Sequence, residues 1–220
     1  PEWCSITADY SENTRMSETD VAEARRSMSK AEFEQEYLAS FTTFEGQIFN
    51  FDRNANVLEW EPKDRCEFIA GCDPGYRDPT AFVVISYCAA DDTFHIVDEY
   101  LRAEATTDKH AEVFSELMLK WGVEVVFIDS AAAQFASDLA YSYNISTTKG
   151  KKDVLPGIAY VQTLVEQGRL KIAPHCEHSL AVMDQYRWDT KETLQREKPV
   201  HDEYSHMADA IRYALYTFTI

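Results

Sequence analysis

Three aspartates occupy positions from which carboxylates do metal chemistry. Asp73 closes the apolar part of "FIAGCD", Asp129 closes "VEVVFID", and Asp209 lies in "SHMADAIRY" towards the end of the chain. Carboxylates brought side by side repel, and like charge together with desolvation raises their pKa values. A divalent cation removes that conflict. An open, all-oxygen ligand set suits Mg2+ or Mn2+. Two such ions about 3.5–4 Å apart activate a water and stabilise the leaving oxygen of a phosphodiester, with no covalent nucleophile. Each aspartate also has an ordinary reading. Asp73 can form the turn at Pro74-Gly75, Asp129 can cap a helix beginning near "SAAAQF", and Asp209 can favour a helix dipole. Their matching places in one topology argue for a shared site.

That topology is read from periodicity. "CEFIAGCD", "TAFVVISYC" and "TFHIVDEYL" are strands, the last two joined by the turn "AADD", and form an antiparallel meander. His110, Val113, Phe114, Leu117, Met118 and Trp121 recur at helical spacing. "VEVVFID" is nearly continuous in apolar residues, as for a strand covered by helices on both faces. A helix over 132–142, a short strand "NISTT", a helix marked by Val154, Ile158, Val161 and Val165, a strand "RLKIA" and a helix over 177–188 follow. "DTKETLQREK" is a polar hairpin or loop, and Met207, Ile211, Ala214, Leu215 and Phe218 line the last helix. The order βββαβαβα predicts an α/β fold, a ribonuclease H-like mixed sheet flanked by helices. With the first and fourth strands as parallel neighbours, about 4.8 Å apart, Asp73 and Asp129 end side by side. A helix packed nearby adds Asp209.

Residues 1–65 read differently from 66–220. Ser17-Glu-Thr-Asp20 and Ser29-Lys-Ala-Glu32 have the capping-box pattern, and Phe33, Tyr37 and Phe41 share a helical face. With no obvious core of its own, this segment is expected to pack on something else. The beginning at Pro1 rather than Met is expected of a piece of a longer protein. The 220 residues carry a formal charge of −17, the wrong sign for coating DNA, so any nucleic-acid contact must be local or assisted. The one compact basic cluster of the later region is Lys149, Lys151 and Lys152, either a solvated loop or a contact to a DNA backbone. Five cysteines (Cys4, Cys66, Cys72, Cys88 and Cys176) make an odd count without a C-x-x-C pair. They are expected to be small buried hydrophobes in a reducing cytosol rather than a disulfide framework or a zinc site. No apolar run reaches a membrane span, no signal peptide is visible, and no P-loop motif is present. Arg77 and Asp78 are read as a turn ion pair, and Tyr186 and Trp188 as packing residues in preference to DNA contacts.

The chain resembles the C-terminal nuclease domain of the large terminase subunit of tailed bacteriophages over residues 20–218. "SKAEFEQEYLASFTTFEGQIF" resembles the segment that links the packaging ATPase to the nuclease. "GCDPGYRDPTAFVV", "VVFIDSAAA" and "SHMADAIRYAL" resemble the three nuclease motifs, and "KGKKDVLPGIAYVQTLVEQGRLKI" the stretch between the second and third. Four weak motifs in order make a specific pattern. The resemblance implies a metal-dependent endonuclease that cuts concatemeric viral DNA during packaging. Asp73, Asp129 and Asp209 would be the ligands of two Mg2+ or Mn2+ ions, assisted by His206 one turn before Asp209. Where the family often has an Asp before this histidine the chain has Ser205, which leaves Asp202 or Glu203 as substitutes. The implied partners are double-stranded DNA, an ATPase domain in the same full-length chain, the small terminase subunit and the portal, in the host cytoplasm during assembly. The competing readings are a non-catalytic ribonuclease H-like docking module and a resolvase or transposase, most of which end their ligand set with Glu rather than Asp.

Overall fold

The structure is a computed structural model that describes residues 17–27, 33, 37, 46–61, 63, 65–189 and 198–218. The meander is present as β1 (Cys66–Asp73), β2 (Thr80–Cys88) and β3 (Thr93–Arg102). Three shorter strands follow: β4 (Val125–Ile128), β5 (Thr147–Lys149) and β6 (Leu170–Ile172). They form one six-stranded sheet in the order β5-β4-β1-β2-β3-β6. β1 and β3 flank β2 antiparallel, whereas β4 runs parallel to β1, β5 to β4 and β6 to β3. This is the ribonuclease H-like arrangement expected, with β1 between β2 and β4. β2 is buried throughout because it is a central strand covered on both faces.

The period-two alternation of the strands divides the core. Ile69, Val83, Ile85, Ile96 and Phe127 face one way, and Ala70, Cys72, Phe82, Val84 and Ile128 the other. The second face is covered by α3 (Thr107–Trp121) and α4 (Ala133–Tyr143), with Phe82 stacked on Phe114 at 4.1 Å. Gly122 ends α3 in a left-handed conformation, φ 68°, and returns its N–H to the Met118 carbonyl, the usual way a helix satisfies its last carbonyls. The first face carries α5 (Val154–Glu166), α6 (Glu177–Gln185) and α7 (Ser205–Thr217). α7 is the most deeply set, with Met207, Ala210, Ile211, Ala214 and Leu215 all buried.

The predicted capping box at Ser17 forms: its Oγ accepts the Asp20 N–H at 3.1 Å while Asp20 Oδ2 accepts the Ser17 N–H at 3.2 Å, starting α1 (Glu18–Ser27). Phe33 and Tyr37 stack at 4.8 Å, as their shared helical face predicts. Phe41 and the second capping box lie outside the described residues, as does the tip of the polar hairpin, whose base pairs Trp188 with Pro199. Residues 46–58 join the main core. Ile48 and Phe49 are buried in it, Ile48 donates to the Tyr186 carbonyl at 2.8 Å, and Val57 bridges to Ile172 beside the short α2 (Arg53–Asn56). Tyr186 and Trp188 are buried packing residues. No helix among the described residues is long and apolar enough to cross a membrane.

The cysteine expectation needs one correction. Cys72 and Cys176 are buried and free, as predicted, but Cys66 and Cys88 are joined by a disulfide. They are cross-strand partners at the open end of the β1–β2 pair, with Cα atoms 4.2 Å apart. An odd count hides such a pair, because only the strand register brings the two together. Cys4 lies outside the described residues.

Candidate metal centre

Parallel pairing sets the first two carboxylates. Cys72 and Ile128 are register partners, so the next residues, Asp73 and Asp129, lie at the same end of the two neighbouring strands. The Asp129 N–H continues the ladder to the Cys72 carbonyl at 3.2 Å. Behind Asp73 the chain turns tightly: the Thr80 hydroxyl donates to the Gly75 carbonyl at 2.8 Å and accepts the Gly75 N–H at 3.1 Å. The turn thus lets β2 resume at once, so that Asp73 ends β1 opposite Ala81. Asp129 also forms a local turn, its Oδ1 accepting the Ala131 N–H at 3.0 Å. The helix-cap reading of Asp129 is not borne out, because the N-cap of α4 is Ala132.

The third carboxylate depends on how closely α7 approaches β1. A Cβ on Gly71 would lie 1.9 Å from the Ala210 carbonyl oxygen, so only glycine permits this contact. Ala210 follows Asp209, and the contact sets Asp209 over the end of β1. Asp209 belongs to the second turn of α7, and no acidic residue lies in the first, so the helix-dipole reading fails. His206, one turn earlier on the same face, makes a 2.8 Å hydrogen bond between its Nδ1 and Asp73 Oδ2. Asp129 and Asp209 thus lie near enough to Asp73 for their charges to act on it, and His206 is bonded to it.

The electrostatics show what this convergence costs. Burial pushes the Asp73 carboxyl above the usual carboxylate range; the His206 hydrogen bond opposes the shift, and the nearby Asp209 and Asp129 charges add to it. His206 is raised chiefly by its hydrogen bond to Asp73, against a desolvation penalty. The other two carboxylates hold cations already. Lys152 Nζ sits 3.5 Å from Asp129 Oδ1. Arg212, 3 % exposed, grips Asp209 Oδ1 through Nη2 at 2.7 Å and Nε at 3.2 Å. Burial works against the charged guanidinium, but the Asp209 charge and hydrogen bonds outweigh it and raise its pKa. The hard carboxylate oxygens of these three aspartates fit a site for divalent metal.

The three lysines of the basic cluster have different neighbours. Lys152 reaches the acidic site, Lys151 Nζ lies 5.0 Å above the Tyr216 ring, and Lys149 ends the edge strand β5 next to Ile128. Asp202 serves the start of α7: its Oδ1 accepts the Tyr204 N–H at 3.1 Å, and its N–H donates to Ser205 Oγ at 2.7 Å. Glu203 is exposed and lies beside Tyr204, whose hydroxyl it pushes towards a higher pKa. Sequence reasoning missed Arg212, whose signal was its i+3 spacing from Asp209, and Gly71, which reads as an ordinary strand glycine. It also assigned Asp78 to a turn pair with Arg77, whereas Asp78 lies with His201 and His206.

Sheet order, helix placement and the acidic edge define a ribonuclease H-like domain. Residues 70–218 match the family described as the terminase RNaseH-like domain, and the chain belongs to that family. It is 40 % identical over 230 residues to the large terminase subunit of Escherichia phage T5, covering all of this chain and 52 % of that protein. The chain thus spans about half the length of the curated relative it matches. Among solved structures, the large terminase of a thermophilic bacteriophage superposes with a TM-score of 0.83 at 24 % identity, over 96 % of this chain and 53 % of that one. The large terminase nuclease domain of bacteriophage SPP1, with bound Mn, superposes with a TM-score of 0.56 at 21 % identity, over 68 % of this chain and 85 % of that one. At these identities the two structures carry the fold.

Proposed function

We propose that this chain is a divalent-metal-dependent endonuclease that cuts concatemeric viral DNA during genome packaging. The observation that carries this reading is the convergence of Asp73, Asp129 and Asp209 from β1, the end of β4 and α7, with Asp73 destabilised by burial and like charge. The manganese in the SPP1 relative supports a divalent ion. Asp73, Asp129 and Asp209 would hold two Mg2+ or Mn2+ ions, which when bound supply an activated water and charge stabilisation at the leaving oxygen. His206 orients Asp73 through Nδ1. Arg212 fixes the Asp209 rotamer and offsets its charge. Lys152, more than half exposed, is free to exchange Asp129 for a DNA phosphate, and Lys149 and Lys151 extend that contact along the backbone. Affinity from three lysines on a chain of net charge −17 is weak and falls with salt. The DNA is therefore delivered by an ATPase domain in the full-length protein, the small terminase subunit and the portal, in the host cytoplasm during assembly. The residues ahead of 46 would connect the nuclease to that motor, since residues 46–58 pack into the nuclease core.

The test is digestion of supercoiled plasmid in Mn2+ by the wild type and by Asp73→Asn, Asp129→Asn and Asp209→Asn. Each variant is expected to lose at least about a hundredfold in rate while remaining folded. Full activity in any one of them removes that residue from the ligand set, and a folded wild type that cuts no DNA overturns the nuclease reading.

A further inference from the structure

Beside the three aspartates lies a second group of ligands with a different chemistry. One ligand atom each from Asp78, His201 and His206 lies within 4.8 Å of the other two. Asp78 comes from the β1–β2 turn, His201 from the segment ahead of α7, and His206 from the first turn of α7. The two imidazole rings are 5.6 Å apart between centroids and inclined at 71°. Ligands on a tetrahedral Zn2+ stand roughly 3.3 Å from one another, given metal–ligand distances near 2.0–2.1 Å. Asp78 and His201 are exposed, so small side-chain rotations close the remaining gap.

We propose that Asp78, His201 and His206 form a further cation site, separate from the three aspartates, that takes a borderline transition-metal ion such as Zn2+ in preference to Mg2+. The donor set decides the class. Two imidazoles and one carboxylate match zinc sites that keep an open position, whereas Mg2+ takes oxygen ligands in near-octahedral geometry. His206 is prepared for this role. Its Nδ1 is engaged by Asp73 Oδ2 at 2.8 Å, which leaves Nε2 for the ion. A metal-bound histidine commonly has its other nitrogen held by a carboxylate in this way, fixing tautomer and ring orientation. Asp73 then contributes to both sites, as ligand in one and as orienting carboxylate in the other. The bound ion would tie the β1–β2 turn to the start of α7, next to Asp73 and one turn before Asp209.

Co2+ is the probe, since its visible absorption reports the ligands. The metal-free chain is titrated with Co2+ in the wild type, in His201→Ala, in Asp78→Asn, and in a variant carrying both Asp129→Asn and Asp209→Asn, whose amide keeps an acceptor for Arg212. The expected result is a Co2+ spectrum with imidazole ligation that survives in the double variant, is displaced by equimolar Zn2+ but not by millimolar Mg2+, and weakens at least about tenfold in His201→Ala and Asp78→Asn. Unchanged Co2+ binding in His201→Ala, or its loss in the double variant, overturns the proposal. Should the double variant not fold, wild-type crystals soaked in Zn2+ decide. An anomalous peak between His201 and His206 supports the site, and zinc peaks confined to the aspartates refute it. This test stands apart from the nuclease reading, because it succeeds or fails whether or not the chain cuts DNA.

Discussion

Gly71→Ala is the sharpest test of how the fold builds the acidic centre. The added Cβ would lie 1.9 Å from the Ala210 carbonyl oxygen, 2.9 Å from its carbon and 3.0 Å from the Ala214 Cβ. Reaching even 3.0 Å, below which such contacts essentially do not occur, requires a shift of about 1.1 Å between β1 and α7. Neither partner yields easily. β1 is hydrogen-bonded on both sides, and the near atom is helix backbone rather than a rotatable side chain. The expected cost in stability is about 1–3 kcal/mol, the range for overpacked cores. The displacement also carries Asp209 and His206 away from Asp73. A misplacement of about 1 Å costs on the order of a hundredfold in a reaction that depends on geometry. The assay pairs a thermal melt with single-turnover plasmid cleavage in Mn2+, at a temperature where the variant remains folded. A folded Gly71→Ala protein with wild-type melting and cleavage would refute the claim that this contact sets the site.

Asp209→Ala should destabilise the chain by about 3 kcal/mol, because it strands the buried Arg212, whereas Asp209→Asn, which keeps an acceptor, should melt close to the wild type; equal melting of the two variants would contradict this. His206 has its pKa raised above 6.5 by Asp73, so its pairing stabilises the fold fully below pH 6.5 and fades as pH rises through the raised folded value. Melts in EDTA from pH 5.5 to 8.5 should therefore show a decline above pH 6.5 that is absent in His206→Gln, and identical slopes would disprove it. Reduction, or replacement of Cys66 and Cys88 by Ser, should cost up to about 3 kcal/mol from the loop that the disulfide closes and lower the melting point by several degrees. An unchanged melt would show that the strand register alone holds that end.

Local pattern made much of this legible. The alternation in β1 to β3, the apolar run of β4 and the helical spacing of α3, α5 and α7 are properties of short windows, and they placed Asp73 and Asp129 at strand ends. Parallel pairing of β1 with β4 followed from the order of the elements. What stayed hidden depends on distant segments meeting. β6 joins the far edge beside β3, residues 46–58 fill the core, and Cys66 finds Cys88 only through the register. Gly71 and Ala210 are 139 positions apart, and no periodicity links them. Arg212 looks like a surface residue on an amphipathic helix, yet it is buried because Gly157 leaves room for it: a Cβ there would lie 2.6 Å from the Arg212 Cδ. Asp78 and His201 read as loop residues until the turn and the start of α7 are seen side by side.

Asp73, Asp129 and Asp209 are proposed to form one divalent-metal centre. Crystals soaked in Mn2+, with anomalous data collected near the manganese edge, test it most directly. Peaks are expected that are bounded by these three carboxylates, with Lys152 withdrawn from Asp129 and Arg212 still holding Asp209. Well-ordered crystals at saturating Mn2+ with no peak among the three aspartates would contradict it.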